Sequence, residues 1–183
     1  MRHAHRALLL PLLLALLAGL AGCAGDSATN GRDSFNSEDV TFASELIPHH
    51  RQALQLVRMV EQRDVDPGLK RLAAQIRVTQ AVELESMLTW LEDWDVPAPS
   101  GDPSVGTGQS GTVSAGDLAA LEGTSGHAFE TQWLRLMIRQ HEDAIAIAEV
   151  ENQRGQYPYA VALANTVMVG QASQIRDMEL MLG

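Results

Sequence analysis

The chain has 183 residues, of which 13 are basic and 23 acidic, and it contains one cysteine. One cysteine excludes an internal disulfide and a cysteine-built metal cage. The formal charge of −10, with basic residues sparse and unclustered, argues against nucleic acid and other polyanions as partners.

Arg2, His3, His5 and Arg6 precede an uncharged, leucine-rich run from Ala7 to Ala21. That run has the length of an export-signal core and falls short of the roughly 20 residues a membrane-spanning helix needs. Leu20-Ala21-Gly22-Cys23 has the form of a bacterial lipoprotein-processing box: small residues suit a peptidase cleft, and the Cys23 thiol can accept a diacylglyceryl group. We therefore expect residues 1–22 to be a signal peptide and Cys23 to be the lipidated first residue of the mature chain. An added acyl group would complete the kind of two-signal anchor that holds stably. The competing readings are an uncleaved anchor, or ordinary cleavage that leaves Cys23 free. Processing leaves 11 basic and 23 acidic residues, formally −12. The expected location is the cell membrane, lipid-anchored, on the extracellular or periplasmic side.

Residues 23–37 are rich in Gly, Ser, Asn and Asp and read as a tether. The domain is expected over 38–183, as a hairpin at 38–94, a linker at 95–125 and a second hairpin at 126–183. From Asp39 to about Arg63, Phe42, Leu46, Ile47, Ala53, Leu54, Val57 and Val60 recur at helical spacing. Pro48 should bend this helix or mark a boundary. Asp66 can cap the next helix, with Pro67 in its first position, and that helix should reach about Trp94. Pro97, Pro99, Pro103 and the glycines around them cannot hold a helix. Ser114 to Asp117 fits a capping box that opens a short helix ending near Leu121. A third long helix is expected from near Phe129 to Arg154, ended by Gly155. A fourth should run from Pro158 nearly to Leu182.

The two hairpins repeat. An offset of 91 residues aligns 42–92 with 133–183 without a gap and gives thirteen identical pairs, among them His50/His141, Gln80/Gln171, Pro67/Pro158 and Met87/Met178. Two such hairpins bury their apolar stripes within and against each other. The predicted fold class is all-α: a ferritin-like four-helix bundle made of two repeated helical hairpins.

His50 and Gln80 lie fifteen residues to either side of the first turn, so both stand about 22 Å from it at a rise of about 1.5 Å per residue. The same arithmetic sets His141 beside Gln171 in one central layer. In one reading the histidines only hydrogen-bond to glutamine amides and fix the register. In the other, imidazoles join carboxylates or thioethers around a metal. Glu45 and His49 share a helix face, as do Met137 and His141. Glu83 has Gln174 as its repeat partner, which argues against a symmetric two-metal carboxylate cage. His49 points about 100° away from His50 and is expected to be exposed. Its repeat partner, Gln140, can still hydrogen-bond. His127 is expected at the surface. No zinc-protease motif, nucleophile elbow or glycine-rich phosphate loop is present, and a di-iron bundle would need Glu-x-x-His pairs that are absent.

Phe42 to Ala53, FASELIPHHRQA, resembles the opening motif of the domain-of-unknown-function family 305, and Gln80 to Met87, QAVELESM, resembles that family's partner-helix motif. Phe129 to Ala144 and Gln171 to Met178 resemble the same pair again. The resemblance implies a four-helix bundle, export in many bacterial members and no assigned enzyme activity, with copper binding or tolerance linked to some relatives. His49, His50, Glu83, Met137 and His141 match family positions and are the candidate metal ligands. Glu45, Gln80, Met87, Gln171 and Met178 are supporting polar or thioether groups. Leu46, Gln140 and Gln174 depart from the pattern, where Met, His and an acid are usual. The expected function is that of a membrane-anchored, non-enzymatic lipoprotein that binds or buffers a metal ion, with copper the candidate. The alternative is a structural or protein-interaction module whose histidines only stabilise the bundle.

Overall fold

A computed structural model describes residues 34–100 and 113–183. The leader, Cys23 and nearly all of the tether lie outside the described residues. Among the described residues there are four long helices and one short one: α1 Ser37–Glu61, α2 Pro67–Asp93, α3 Ala115–Glu122, α4 Gly126–Arg154 and α5 Pro158–Leu182. The all-α class is as the sequence predicts, with no strand among the described residues. None of these helices is long and apolar enough to cross a membrane.

Local chemistry sets most of the helix ends. Asn36 caps α1 through bonds to the Glu38 and Asp39 amides, and the Asp39 side chain returns a bond to the Asn36 amide. This capping box starts α1 two residues earlier than the apolar periodicity implies. Asp66 caps α2 ahead of Pro67, and Ser114 and Asp117 form the expected box at α3. The helix α4 begins at Gly126, before the expected Phe129, and Gly126 has a left-handed backbone (φ 56°) that favours glycine. Gly155 ends α4 as expected, but in an extended conformation (φ −62°, ψ 151°) and not the left-handed cap its type suggests. A Cβ there would lie 2.7 Å from the Glu151 carbonyl and would run into the Glu151 carboxyl, so close approach is what requires glycine. The boundary expected at Pro48 does not occur, because α1 runs through it as one helix. The packing of its buried face outweighs the ~3 kcal/mol that an interior proline costs.

The helices pair as α1 with α2 and α4 with α5, and the main contact between hairpins is α1 against α4. One apolar cluster joins the C-terminal half of α1 and the start of α2 to the start of α4 and the end of α5, through Leu56, Leu72, Ile76, Trp133, Met137 and Met178. The other joins Phe42, Leu46 and Met87 to Ala144, Ala164 and Val167. The helices α1 and α4 are therefore antiparallel, and the turn of one hairpin meets the open end of the other. Gln52 holds both backbone groups of Val113, which docks the linker's end on α1.

The repeat extends further than the sequence alignment. Asp39 accepts bonds from the Gln156 and Tyr157 amides at 3.0 and 2.9 Å. At the other end of the bundle Glu130 accepts from the Asp66 amide at 2.7 Å. Residues 39 and 130 are a repeat pair, and so are 66 and 157. Each hairpin thus supplies a carboxylate that satisfies the orphan amides opening the other hairpin's second helix.

Candidate metal site in a buried polar layer

Between the two apolar clusters lies a layer of polar side chains. His49, His50, Gln80, Glu83, Gln140, His141 and Gln171 are all buried there. The sequence expectation of one central layer holds for His50, Gln80, His141 and Gln171, but their pairing differs. His50 Nε2 meets Glu83 Oε2 at 2.7 Å, and His141 Nε2 meets Gln174 Oε1 at 2.8 Å. Neither Gln80 nor Gln171 bonds to a histidine, and both amide atoms of each are buried without a partner. The reason is the lean of side chains toward the N-terminus of their own helix. A residue on the outgoing helix reaches away from the turn and one on the returning helix reaches back toward it. The partner's Cα must therefore stand about one turn farther along, at 83 and 174 and not at 80 and 171.

His49 corrects a second expectation: it is 1 % exposed, not a surface residue. Both its ring nitrogens lack partners, so Glu45, half-buried one turn earlier, makes no bond to them. Its backbone carbonyl accepts the Gln140 side-chain amide at 2.7 Å. Residues 49 and 140 are a repeat pair, so the pseudo-twofold axis passes beside this bond. Met87, Met137 and Met178 are fully buried, each one turn along its helix from Glu83, His141 and Gln174 respectively. His127 is at the surface as expected, 3.8 Å from Glu130.

Burial, with His50 nearby, pushes the His49 pKa down to about 4. Burial also pushes His141 to about 4, against the opposing pull of its Gln174 hydrogen bond. Both rings are therefore neutral at pH 7. The Gln140 amide nitrogen is committed to the His49 carbonyl, so its oxygen accepts the His141 Nδ1 proton at 3.0 Å. Nε2 faces the Gln174 side-chain oxygen at 2.8 Å, so each ring nitrogen of His141 has an amide group against it. At His50 the partner is a carboxylate, which only accepts, so Nε2 carries a proton toward Glu83. The other ring nitrogen, Nδ1, is buried and has no partner.

Among the described residues, no three His, Cys, Asp or Glu side chains converge to hold a metal ion. A closed tetrahedral zinc site needs four such ligands. The donors present are the unpartnered imidazole nitrogens of His49 and His50, in a layer whose neighbouring helical turns carry Met87, Met137 and Met178; imidazole and thioether are the donor types that suit a soft ion such as Cu(I). Glu83 is placed as a partner of His50, and the orphaned nitrogens of His49 and His50 are the atoms a cation would satisfy.

Two repeated helical hairpins around a buried histidine layer define a class of helical-bundle protein, and the family follows from comparison. The model of the domain of unknown function DUF305 matches residues 39–182, and the chain belongs to that family. A DUF305 fragment from Deinococcus radiodurans superposes with a TM-score of 0.73 at 29% identity, covering 81% of this chain and 97% of that one. A DUF305 protein from Streptomyces coelicolor, described as secreted, gives 0.70 at 31% identity, covering 80% and 90%. The protein CopM in its Cu(II)-bound form gives 0.69 at 28% identity, covering 79% and 95%, and CopM is also similar in Cu(I)-bound and Ag-bound forms. No curated protein matches this chain.

The sequence reading missed Gln140 and Gln174 as partners of His141, and Asp39, Glu130 and Glu151 altogether. Extending the 91-residue offset upstream by three residues would have found the acidic pair at 39 and 130.

Proposed function

We propose that this protein is a non-catalytic, extracytoplasmic metal-binding lipoprotein, held to the membrane through lipid on Cys23, that binds or buffers copper in the layer around His50. The observation that carries the reading is the buried Nδ1 of His50, bare of any partner while Nε2 is fixed on Glu83. Histidine ligands commonly donate their second nitrogen to a carboxylate, which sets the tautomer and raises the basicity of the ligating atom. The copper- and silver-bound forms of CopM support the choice of metal, and the secreted Streptomyces relative supports the location.

The experiment is metal analysis of protein purified without an affinity tag, followed by calorimetry with Cu(I), Cu(II), Zn and Ni. We expect copper to bind with Kd below about 10 μM, and His50→Gln to lose binding at that level. Absence of binding at that level would leave the rival reading, in which the layer only fixes helix register. The Gln140 bond to the His49 carbonyl favours that rival, because it ties one hairpin to the other.

A further inference from the structure

The two halves of the polar layer are repeat copies, yet their hydrogen bonding is not equivalent. In the second copy Gln140 replaces His49 and Gln174 replaces Glu83. Gln140 holds His141 Nδ1 at 3.0 Å, and Gln174 lies 2.8 Å from Nε2. Both nitrogens of His141 are therefore committed to protein groups. In the first copy His49 keeps both nitrogens unpartnered and His50 keeps Nδ1 unpartnered, all of them buried.

The substitutions explain the difference. A carboxylate at 83 anchors His50 by Nε2 and leaves Nδ1 without a partner. The long amide at 140 bonds to the His141 ring itself and takes up its Nδ1. A neutral amide at 174 removes the charge that would raise the basicity of His141 and offset the charge of a cation. The flanking thioethers lie in different clusters, Met87 in one and Met137 with Met178 in the other.

We infer that each chain takes up one metal ion and not two, through His50 Nδ1 with Glu83 as its positioning residue, and that the copy around His141 is a hydrogen-bonded clasp between the hairpins. This rests on the metal reading above and assigns the layer's two halves to different tasks.

The test counts Cu(I) per chain by elemental analysis and by competition with a chromophoric chelator. It uses the leaderless chain with Cys23→Ser, so that the thiol supplies no ligand. The native layer should hold one equivalent. His50→Gln should hold none, and His141→Gln should keep one with affinity changed less than about threefold. Glu83→Gln should keep one equivalent but bind roughly 10- to 100-fold more weakly, with a changed tautomer signal for His50 in nitrogen-15 spectra. Gln140→His combined with Gln174→Glu should raise the count to two. If His50→Gln fails to fold, as judged by circular dichroism, the double variant decides: a count that stays at one overturns the inference. Two equivalents in the native layer also overturn it and leave the metal reading standing, whereas one equivalent surviving in folded His50→Gln overturns it together with the site assigned to His50. No bound metal at all overturns the metal reading itself.

Discussion

Asp39 carries more of this fold than its position near a helix start implies. Its carboxylate closes the α1 capping box and accepts amides at the opening of α5. Charge-assisted bonds to buried amides are stronger than neutral ones, so Asp39→Ala should lower unfolding free energy by about 2–3 kcal/mol in urea titration. Glu130 makes one comparable bond in a more open setting, and Glu130→Ala should cost about 1 kcal/mol. Equal losses in the two variants would contradict this ranking. Against Asp39 lies Glu151, 1 % exposed, whose pKa is pushed up to about 8 by burial and by the Asp39 carboxylate. Neither Glu151 oxygen has a donor to accept from. In its protonated form the side chain can donate to Asp39.

The buried titratable groups give stability a definite pH profile. His49 and His141 titrate near 6.5 when unfolded and near 4 when folded. Between those values the unfolded chain binds protons that the folded one refuses. Their contribution is complete above about pH 6.5 and is lost as pH falls toward 4. Glu151 runs the other way, with a folded pKa of about 8 against 4.5. Its contribution is complete below about pH 4.5 and is lost as pH rises toward 8. Two histidines outweigh one glutamate between about 4.5 and 6.5, so the thermal midpoint should peak near pH 6.5. Glu151→Gln should flatten the alkaline side of that peak, and an unchanged alkaline decline in this variant would refute the assignment.

At the scale of helices and turns, Gly155 and Pro48 show where sequence rules hold and where packing overrides them. The end of α4 at Gly155 was legible because glycine after a periodic run marks a helix end. The geometric cause was not, because it lies in the approach of Glu151 to the Gly155 backbone. Gly155→Ala should therefore destabilise by roughly 1–3 kcal/mol, where a left-handed glycine would give a milder penalty. Pro48 lies inside a continuous α1, while its repeat partner Arg139 lies inside α4 with a normal amide. Pro48→Ala should raise the thermal midpoint, with a gain of up to about 3 kcal/mol; a fall would mean that the proline's shape is needed to seat His49 and His50. Helix number, order and most caps were readable because they depend on residues three or four apart. The partners in the polar layer were not, because a turn-centred count measures Cα depth and omits side-chain lean. His49 was misplaced because a single face was assigned to α1, whereas this helix is packed by α2 and by α4.

At the scale of the whole molecule, the 91-residue repeat made the bundle legible, since two similar amphipathic hairpins have few ways to bury their apolar sides. It also pointed to a shared histidine level. The exchange of carboxylates between hairpins was invisible to it, because a bond between residues 117 or 64 positions apart has no local signature. That exchange has a consequence for the first hairpin considered alone. Residues 34–96 contain both the acid that reaches across, Asp39, and the amide at Asp66 that such an acid finds in the other copy. The segment is therefore self-complementary, and a second molecule of it can occupy the place of residues 125–183 through an isologous contact. Made as a separate peptide, it should sediment as a dimer, and Asp39→Ala should shift it toward monomer. In that dimer every His50 would face a Glu83, so both halves of its polar layer would carry the arrangement that the full chain has in one half alone.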